Sequence, residues 1–432
     1  MGKNWLRLDN AAMIFPPISG KKAPNTFCLS MTLKENINPA ILQEAVMQVL
    51  ESEDTFRVRL KKGLFWFYLE DNDKPFLVEK EPPRFMEYID RRYNGNYLFR
   101  VFYYGKRISA VFFHALTDGT GGLYFLKQVV YTYLLLSGKD VKAEGEVKPL
   151  ELPTLNEEKV DKFINVAKKT NEKKIAEVKA FKLTGTPFKV FGTGLIFGEC
   201  RIDDVKKQAK KYGATITSYL CALYIYSIYK AYIENKNTKN KMVAISIPVN
   251  IRGIHPSATK RNFSLVVRIT YDFSNGGTLE DVIASTIEQF KVKLTPEQID
   301  AQIQTNVSIE KNVLMKFVPR IIKSLALKIA YHIRGVRQES TNLSNLGKIE
   351  LPESIAKYVD EVRFILQASQ TTQKNLGVVG YDNKLFMSFS RRHCETSAER
   401  EFFRMLEDAG VDVVVSSNYW EVGKWSTVNS VI

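Results

Sequence analysis

Two hydrophobic periods alternate along this chain. Ile41, Leu42, Ala45, Val46, Val49 and Leu50 recur at helical spacing between Asn38 and Glu51 and predict a helix with one apolar face. The β-branched and aromatic stretches Phe56 to Leu60 and Leu64 to Leu69 predict strands after it. Arg107 to Phe113 has the same character and no helix-stop signal, so it predicts a strand that delivers His114 at its carboxyl end. Beyond the glycines that follow, Leu126, Val129, Val130, Tyr133 and Leu134 return to the helical period, so Asp118 to about Gly138 reads as a loop and then a core-facing helix. From Gly138 to roughly Lys182 the chain is polar and charged, as in a linker built partly of a lysine-rich helix. A strand from Gly194 to Ile202, a helix from Asp203 to Tyr212 and a buried helix from Thr217 to Ile233 then rebuild a similar order. The pattern is α+β with hairpins. At 432 residues the chain exceeds the size at which one core keeps growing, and it divides into 1–145, a charged linker 146–185, and 186–432.

The candidate chemistry sits where the period changes. In Phe112-Phe113-His114-Ala115-Leu116-Thr117-Asp118-Gly119 a histidine and a carboxylate occupy a strand-to-helix junction. A neutral imidazole takes a proton from a hydroxyl, thiol or amine at working pH, so His114 is a candidate general base. Asp118 lies across a turn and can point toward the ring or away from it; on the structural reading His114 is a satisfied core residue and Asp118 caps the helix. Gly119-Thr120-Gly121-Gly122 lacks the Gly-Lys-Ser/Thr ending of a phosphate-binding loop, and its glycines suit tight turning and close backbone approach. Two later segments matter beside it. Ala244 to Gly253 is an apolar strand ending in Asn250 and Arg252, and Arg252 can pair with a buried carboxylate or lie at the surface. Ser340 to Ile349 alternates short polar groups with leucines and leaves into a turn at Gly347.

These three segments, in this order, resemble those of the coenzyme A dependent acyltransferase superfamily, which includes chloramphenicol acetyltransferase, condensation domains and plant acyltransferases; bacterial alcohol acetyltransferase-like proteins are the nearest branch. His114 to Gly119 matches the His-x-x-x-Asp-Gly motif, Pro248 to Arg252 looks like the Pro-Val-Asn-x-Arg strand, and Ser344 to Gly347 looks like the Ser-Asn-x-Gly strand. The opening Trp5-Leu6-Arg7-Leu8-Asp9-Asn10 is also similar. The resemblance implies a two-layer α/β sandwich of two similar chloramphenicol acetyltransferase-like halves with the active-site tunnel between them. It implies His114 as general base, Asp118 as a structural partner of Arg252, Gly119 as the residue permitting the tight backbone, and Asn345 or Ser344 as a donor to the developing oxyanion. The implied reaction is direct transfer of an acyl group, acetyl above all, from coenzyme A to an alcohol-type or amine acceptor, with acyl-CoA a co-substrate and no tightly bound cofactor. Phe113 stands where one form of the motif has a second histidine, which weighs against a peptide-condensing role. A condensation-type enzyme using an acyl carrier protein remains an alternative within the fold, and a non-catalytic basic binding protein one outside it.

The remaining residues agree with direct transfer. No Gly-x-Ser-x-Gly elbow is present, and Cys28, Cys200, Cys221 and Cys394 lack motif spacing. His393 and Cys394 are neighbours whose side chains would face opposite sides of a strand, while His255 and His332 lack partners at ligand spacing, so no metal site is expected. A hydrophobic share of 45% and a charged share of 25% are those of an ordinary soluble protein. The longest apolar candidate, Tyr219 to Ile233, is broken by Ser227 and Lys230. The opening residues do not read as a secretory signal, and with four unpatterned cysteines the expectation is reduced thiols and a cytoplasmic location, where the sequons at Asn262, Asn306 and Asn342 carry no meaning. The net charge of +15 concentrates in Lys168, Lys169, Lys173, Lys174, Lys179 and Lys182 on one helical stretch and in Lys206, Lys207, Lys210 and Lys211 on another. Such clusters read as solvated faces or as attraction for an anion such as the phosphates of coenzyme A. No nucleic-acid recognition motif accompanies them. Arg320, Lys323, Lys328 and Arg334 punctuate an otherwise apolar helix, which reads as core packing with snorkelling cations or as a peripheral contact with an anionic membrane.

Overall fold

Fifteen strands form the frame of the chain in a computed structural model that describes residues 5–84, 86–150, 152, 155–167, 179–188, 192–311, 317–331 and 337–418. In chain order they are β1 (Trp5–Arg7), β2 (Thr26–Leu33), β3 (Val58–Lys62), β4 (Phe67–Asp71), β5 (Glu79–Lys80), β6 (Phe99–Tyr104), β7 (Arg107–Phe113) and β8 (Gly194–Arg201), followed by β9 (Met242–Asn250), β10 (Ser264–Asp272), β11 (Thr341–Lys348), β12 (Val359–Leu366), β13 (Lys374–Tyr381), β14 (Lys384–Arg391) and β15 (Val414–Ser417). A five-stranded sheet has the order β12-β2-β7-β6-β5, a seven-stranded sheet the order β10-β9-β11-β13-β14-β8-β15, and β1-β4-β3 make a small third sheet. The architecture is α+β, with helices laid on each large sheet.

Burial follows the predicted periods. The helix Pro39–Ser52 buries Leu42, Ala45, Val46, Val49 and Leu50, and Asn38 caps it by accepting from the Ala40 and Ile41 amides. It packs with the helix Gly119–Leu136 over β2 and β7, where Phe27, Phe56, Phe99, Phe112 and Phe125 interlock. The second core lies between the seven-stranded sheet and the helices Ile216–Tyr232, Leu279–Lys293 and Ser397–Asp408. The helix Ile202–Lys211 buries Val205, Gln208 and Ala209 and leaves Lys206, Lys207, Lys210 and Lys211 exposed, so that cluster is a solvated face.

Three features depend on tertiary pairing. β11 runs parallel to both of its neighbours, β9 and β13, in a sheet whose other pairs are antiparallel. β12 pairs antiparallel with β2, so a stretch from late in the chain completes the first sheet. The two sheets meet there: a Cβ added at Gly377 of β13 would fall 2.3 Å from the Phe364 carbonyl oxygen of β12. The expected lysine-rich helix needs correction at its end, because Lys179 and Lys182 lie in neither helix nor strand, and Lys182 Nζ donates to the carbonyls of Glu339 and Thr371. Lys168, Lys169, Lys173 and Lys174 lie outside the described residues. Among the described residues no helix is long and apolar enough to cross a membrane.

Candidate active site

β7 ends at Phe113 and presents His114 at its carboxyl end, where the histidine amide donates to the Asn25 carbonyl (3.0 Å). Two rings enclose the imidazole. Phe15, from the short helix Phe15–Ile18, stacks on it with centroids 4.8 Å apart, and Phe27 of β2 meets it edge-on at 5.0 Å. His114 remains half-buried, not sealed. Burial pushes its pKa below the ordinary 6.5, against smaller upward effects of the hydrogen bond it makes to Asn262 and the charge of Asp118, so the ring is neutral at pH 7.

The tautomer follows from Asn262. Its Nδ2 donates to the His114 main-chain carbonyl (3.0 Å) and to Asp9 Oδ2 (3.2 Å), which leaves its Oδ1 to accept. The group facing Oδ1 is His114 Nδ1 at 3.2 Å. An oxygen acceptor there requires the proton on Nδ1, and the lone pair is then on Nε2, as a base needs. Behind Asn262, the fully buried Asp9 accepts from the Ala12 amide (2.7 Å) and lies 3.4 Å from Arg261 Nη2; burial raises its pKa, with Arg261 opposing. In the sequence Asp9 stands out only within the family-like opening segment, and Asn262 only as a sequon. Nothing local marks Asn262, which lies 148 positions from the histidine it contacts.

Asp118 turns away from the imidazole. Its Oδ1 caps the helix Gly119–Leu136 by accepting from the Gly121 amide (3.0 Å), and its Oδ2 accepts from Arg252 Nη1 (2.8 Å) and the Phe263 amide (2.9 Å). Arg252 Nη2 also donates to Oδ1 (3.3 Å) and to the carbonyls of Thr259 (3.0 Å) and Arg261 (2.7 Å). The pair is buried, with side-chain exposures of 5% for Asp118 and 12% for Arg252. One carboxylate therefore holds the loop after β7 against residues 252–263, which carry Asn262. Backbone crowding completes the joint. Thr117 Oγ1 donates to the Lys260 carbonyl (2.6 Å), and a Cβ at Gly121 would come within 2.0 Å of that carbonyl oxygen.

β11 closes the other side. Leu346 presses on Gly119, so near that an added Cβ would meet its Cδ2 at 2.6 Å. Leu346 packs on the first core and Leu343 belongs to the second, so alternate side chains of β11 face opposite halves. Ser344 shares the Leu346 side and is buried. Asn345 takes the other side: its Nδ2 donates to Thr217 Oγ1 (3.0 Å), and its Oδ1 accepts from the amide of Gly347, whose φ of +76° requires the left-handed conformation glycine adopts readily. Ser344, not Asn345, therefore presents toward the half that carries His114.

The other singled-out residues lie elsewhere. His255 Nε2 pairs with Asp300 Oδ1 (2.8 Å), His393 is buried beyond the end of β14, and His332 lies outside the described residues. Cys28, Cys200 and Cys221 are buried, and burial pushes the Cys200 thiol up to about 12, which disfavours a thiolate. Among the described residues no group of three His, Cys, Asp or Glu is placed to hold a metal ion.

The fold is that of condensation domains and of an O-acetyltransferase of known structure. Among solved structures, a mutant starter condensation domain of rhizomide synthetase in complex with C8-CoA and Leu-SNAC is similar with a TM-score of 0.58 and 14% identity, over 94% of each chain. The trichothecene 15-O-acetyltransferase of Fusarium sporotrichioides is similar with a TM-score of 0.57 and 12% identity, again over 94% of each. Polyketide synthase associated protein 5 of Mycobacterium tuberculosis matches with a TM-score of 0.58 and 10% identity, over 93% of this chain and 96% of its own. No family model and no curated protein matches the sequence.

Proposed function

We propose that this protein transfers an acyl group from a coenzyme A thioester to an alcohol-type acceptor, with His114 as general base. The observation that carries the reading is the imidazole itself: neutral, with Nδ1–H bound to Asn262 and Nε2 left with its lone pair, at a half-buried position between two aromatic rings. The acceptor hydroxyl gives its proton to Nε2 as its oxygen bonds to the thioester carbonyl carbon. The carbonyl oxygen gathers negative charge, and the Ser344 hydroxyl, on the β11 face toward this half, is the donor assigned to it. The C–S bond then breaks and the departing thiolate takes the proton from Nε2, leaving an ester, a free thiol and a neutral histidine. No oxidant or acyl-enzyme is needed. Residues 1–145 supply His114 and Asp118, and residues 186–432 supply Arg252, Asn262 and Ser344, so the proposed site lies where the two segments meet.

Purified protein incubated with acetyl and longer acyl-CoA against a panel of alcohols and amines should release free thiol only when an acceptor is present, with ester or amide formed in equal amount. Turnover with a loaded carrier protein and none with any free thioester would replace coenzyme A by a carrier as donor. No turnover with either donor from folded protein would leave a binding protein.

Asn262 acts here as a positioning residue. Activity should persist below pH 6.5 and fall as pH drops through the lowered His114 pKa, because only the neutral ring accepts the proton. Asn262→Ala removes an interaction that raises that pKa and releases the tautomer. In the variant the acid limb of kcat/KM should move to lower pH and kcat should fall. A wild-type pH profile at wild-type kcat would remove Asn262 from this role.

A further inference from the structure

The helix Arg320–Ala330 turns two of its three cations, Arg320 and Lys323, inward and its larger hydrocarbon side chains outward. Ile321 is 71% exposed, Ile322 58% and Leu325 59%, with Ile329, Phe317 and the nearby Leu64 also exposed. The cations do the anchoring. Lys323 is buried, with Nζ 3.3 Å from the Trp66 ring centroid and donating to the Phe65 carbonyl (3.2 Å), while Arg320 Nε donates to the Gly63 carbonyl (2.9 Å). The helix is thus pinned to the turn between β3 and β4 by its polar groups, the reverse of an ordinary surface helix. A contiguous outward apolar face of this kind marks an interaction surface.

Charge identifies the partner. The chain carries a net charge of +15 and residues 311–338 contain no Asp or Glu. With Arg320 and Lys323 turned inward, the cations exposed here among the described residues are Lys328 on the helix itself and Arg337 beyond it. A protein partner with an apolar patch would need no such bias, whereas an anionic lipid surface rewards both properties: acyl chains accept the isoleucines and leucine, and headgroup phosphates attract the basic segment. We infer that this helix is a docking face for the interfacial zone of an anionic phospholipid bilayer. Its place in the fold gives the docking a use. The helix packs on Phe15–Ile18, and Phe15 stacks on His114. A bilayer seated here lies one short helix from the histidine, close enough to present long-chain substrates; that use rests on the acyl-transfer reading, whereas the docking does not.

Sedimentation of the purified full chain with phosphatidylglycerol-rich vesicles, and with pure phosphatidylcholine vesicles, tests it without turnover. The expected result is binding to the anionic vesicles that weakens as salt is raised, little binding to the neutral ones, and a loss of at least ~10-fold in affinity for Ile321→Glu/Leu325→Glu at an unchanged melting temperature. Should that double variant misfold, Lys328→Glu is expected to weaken binding to anionic vesicles alone. Wild-type protein that stays in the supernatant at low salt, or folded variants that bind as well as wild type, would overturn the inference. So would a dimer in solution that Ile321→Glu/Leu325→Glu converts to monomer, since a second copy would then cover the face. Vesicle binding is read separately from turnover, so failure of this inference and failure of the acyltransferase reading are distinguishable.

Discussion

His114→Ala is expected to reduce turnover by ~100- to 10,000-fold, the usual worth of general-base assistance, while the protein still melts cooperatively. The stability cost is bounded by what the ring touches. It loses its stack on Phe15 and its edge contact with Phe27, each worth ~0.5–1.5 kcal/mol, and leaves Asn262 Oδ1 without its donor, ~1–3 kcal/mol. The main-chain carbonyl of residue 114, which holds Asn262 Nδ2, survives the change. Loss of turnover in a folded variant that still binds acyl-CoA would assign the defect to proton transfer. Turnover near the wild-type value would instead end the catalytic reading of His114 and favour a ligand-binding site.

Asp118→Ala is expected to cost stability and activity together. Removing the carboxylate leaves the Arg252 guanidinium buried with only carbonyl acceptors, a loss of ~3–5 kcal/mol for a broken buried pair, and also deletes a helix cap worth ~1 kcal/mol. The Phe263 amide loses its acceptor as well, next to the Asn262 that orients His114. Thermal and urea unfolding measure the first effect; kcat of whatever remains folded measures the second. Asp118→Asn keeps an oxygen for the Gly121 amide but not the charge, so it should recover part of the cap and little of the pairing. A melting temperature unchanged in Asp118→Ala would show that Arg252 is satisfied without it.

Local periodicity made much of the frame legible because a buried face must repeat at the period of its element. The helix Gly119–Leu136 and strand β7 were readable from Leu126, Val129, Val130 and the Arg107 to Phe113 run for that reason. The motif residues were readable too, since a histidine at a strand end and a carboxylate at a helix start are adjacent in sequence. Which way Asp118 points is open from the residues alone, because its orientation is set by Arg252, 134 positions later, and only the family resemblance implied that pairing. Asn345 and Ser344 were interchangeable in sequence, and the alternation of β11 between two cores separates them.

The chain by itself determined its α+β class, the helices Pro39–Ser52, Gly119–Leu136, Ile202–Lys211 and Ile216–Tyr232 and the strands β7 and β8 to within about two residues, and the presence of His114 at a strand terminus, since each follows from hydrophobic spacing and short-range sterics. Tertiary structure alone decided that β12 completes the sheet of β2 and β7, that residues 252–263 bring Asn262 to His114, and that the helix Arg320–Ala330 faces outward with its isoleucines. Apolar spacing states that a residue has a buried or exposed side. It does not state which distant strand, carboxylate or ring lies opposite, and that pairing is settled when long-range contacts offset the entropy of closing the loops between them.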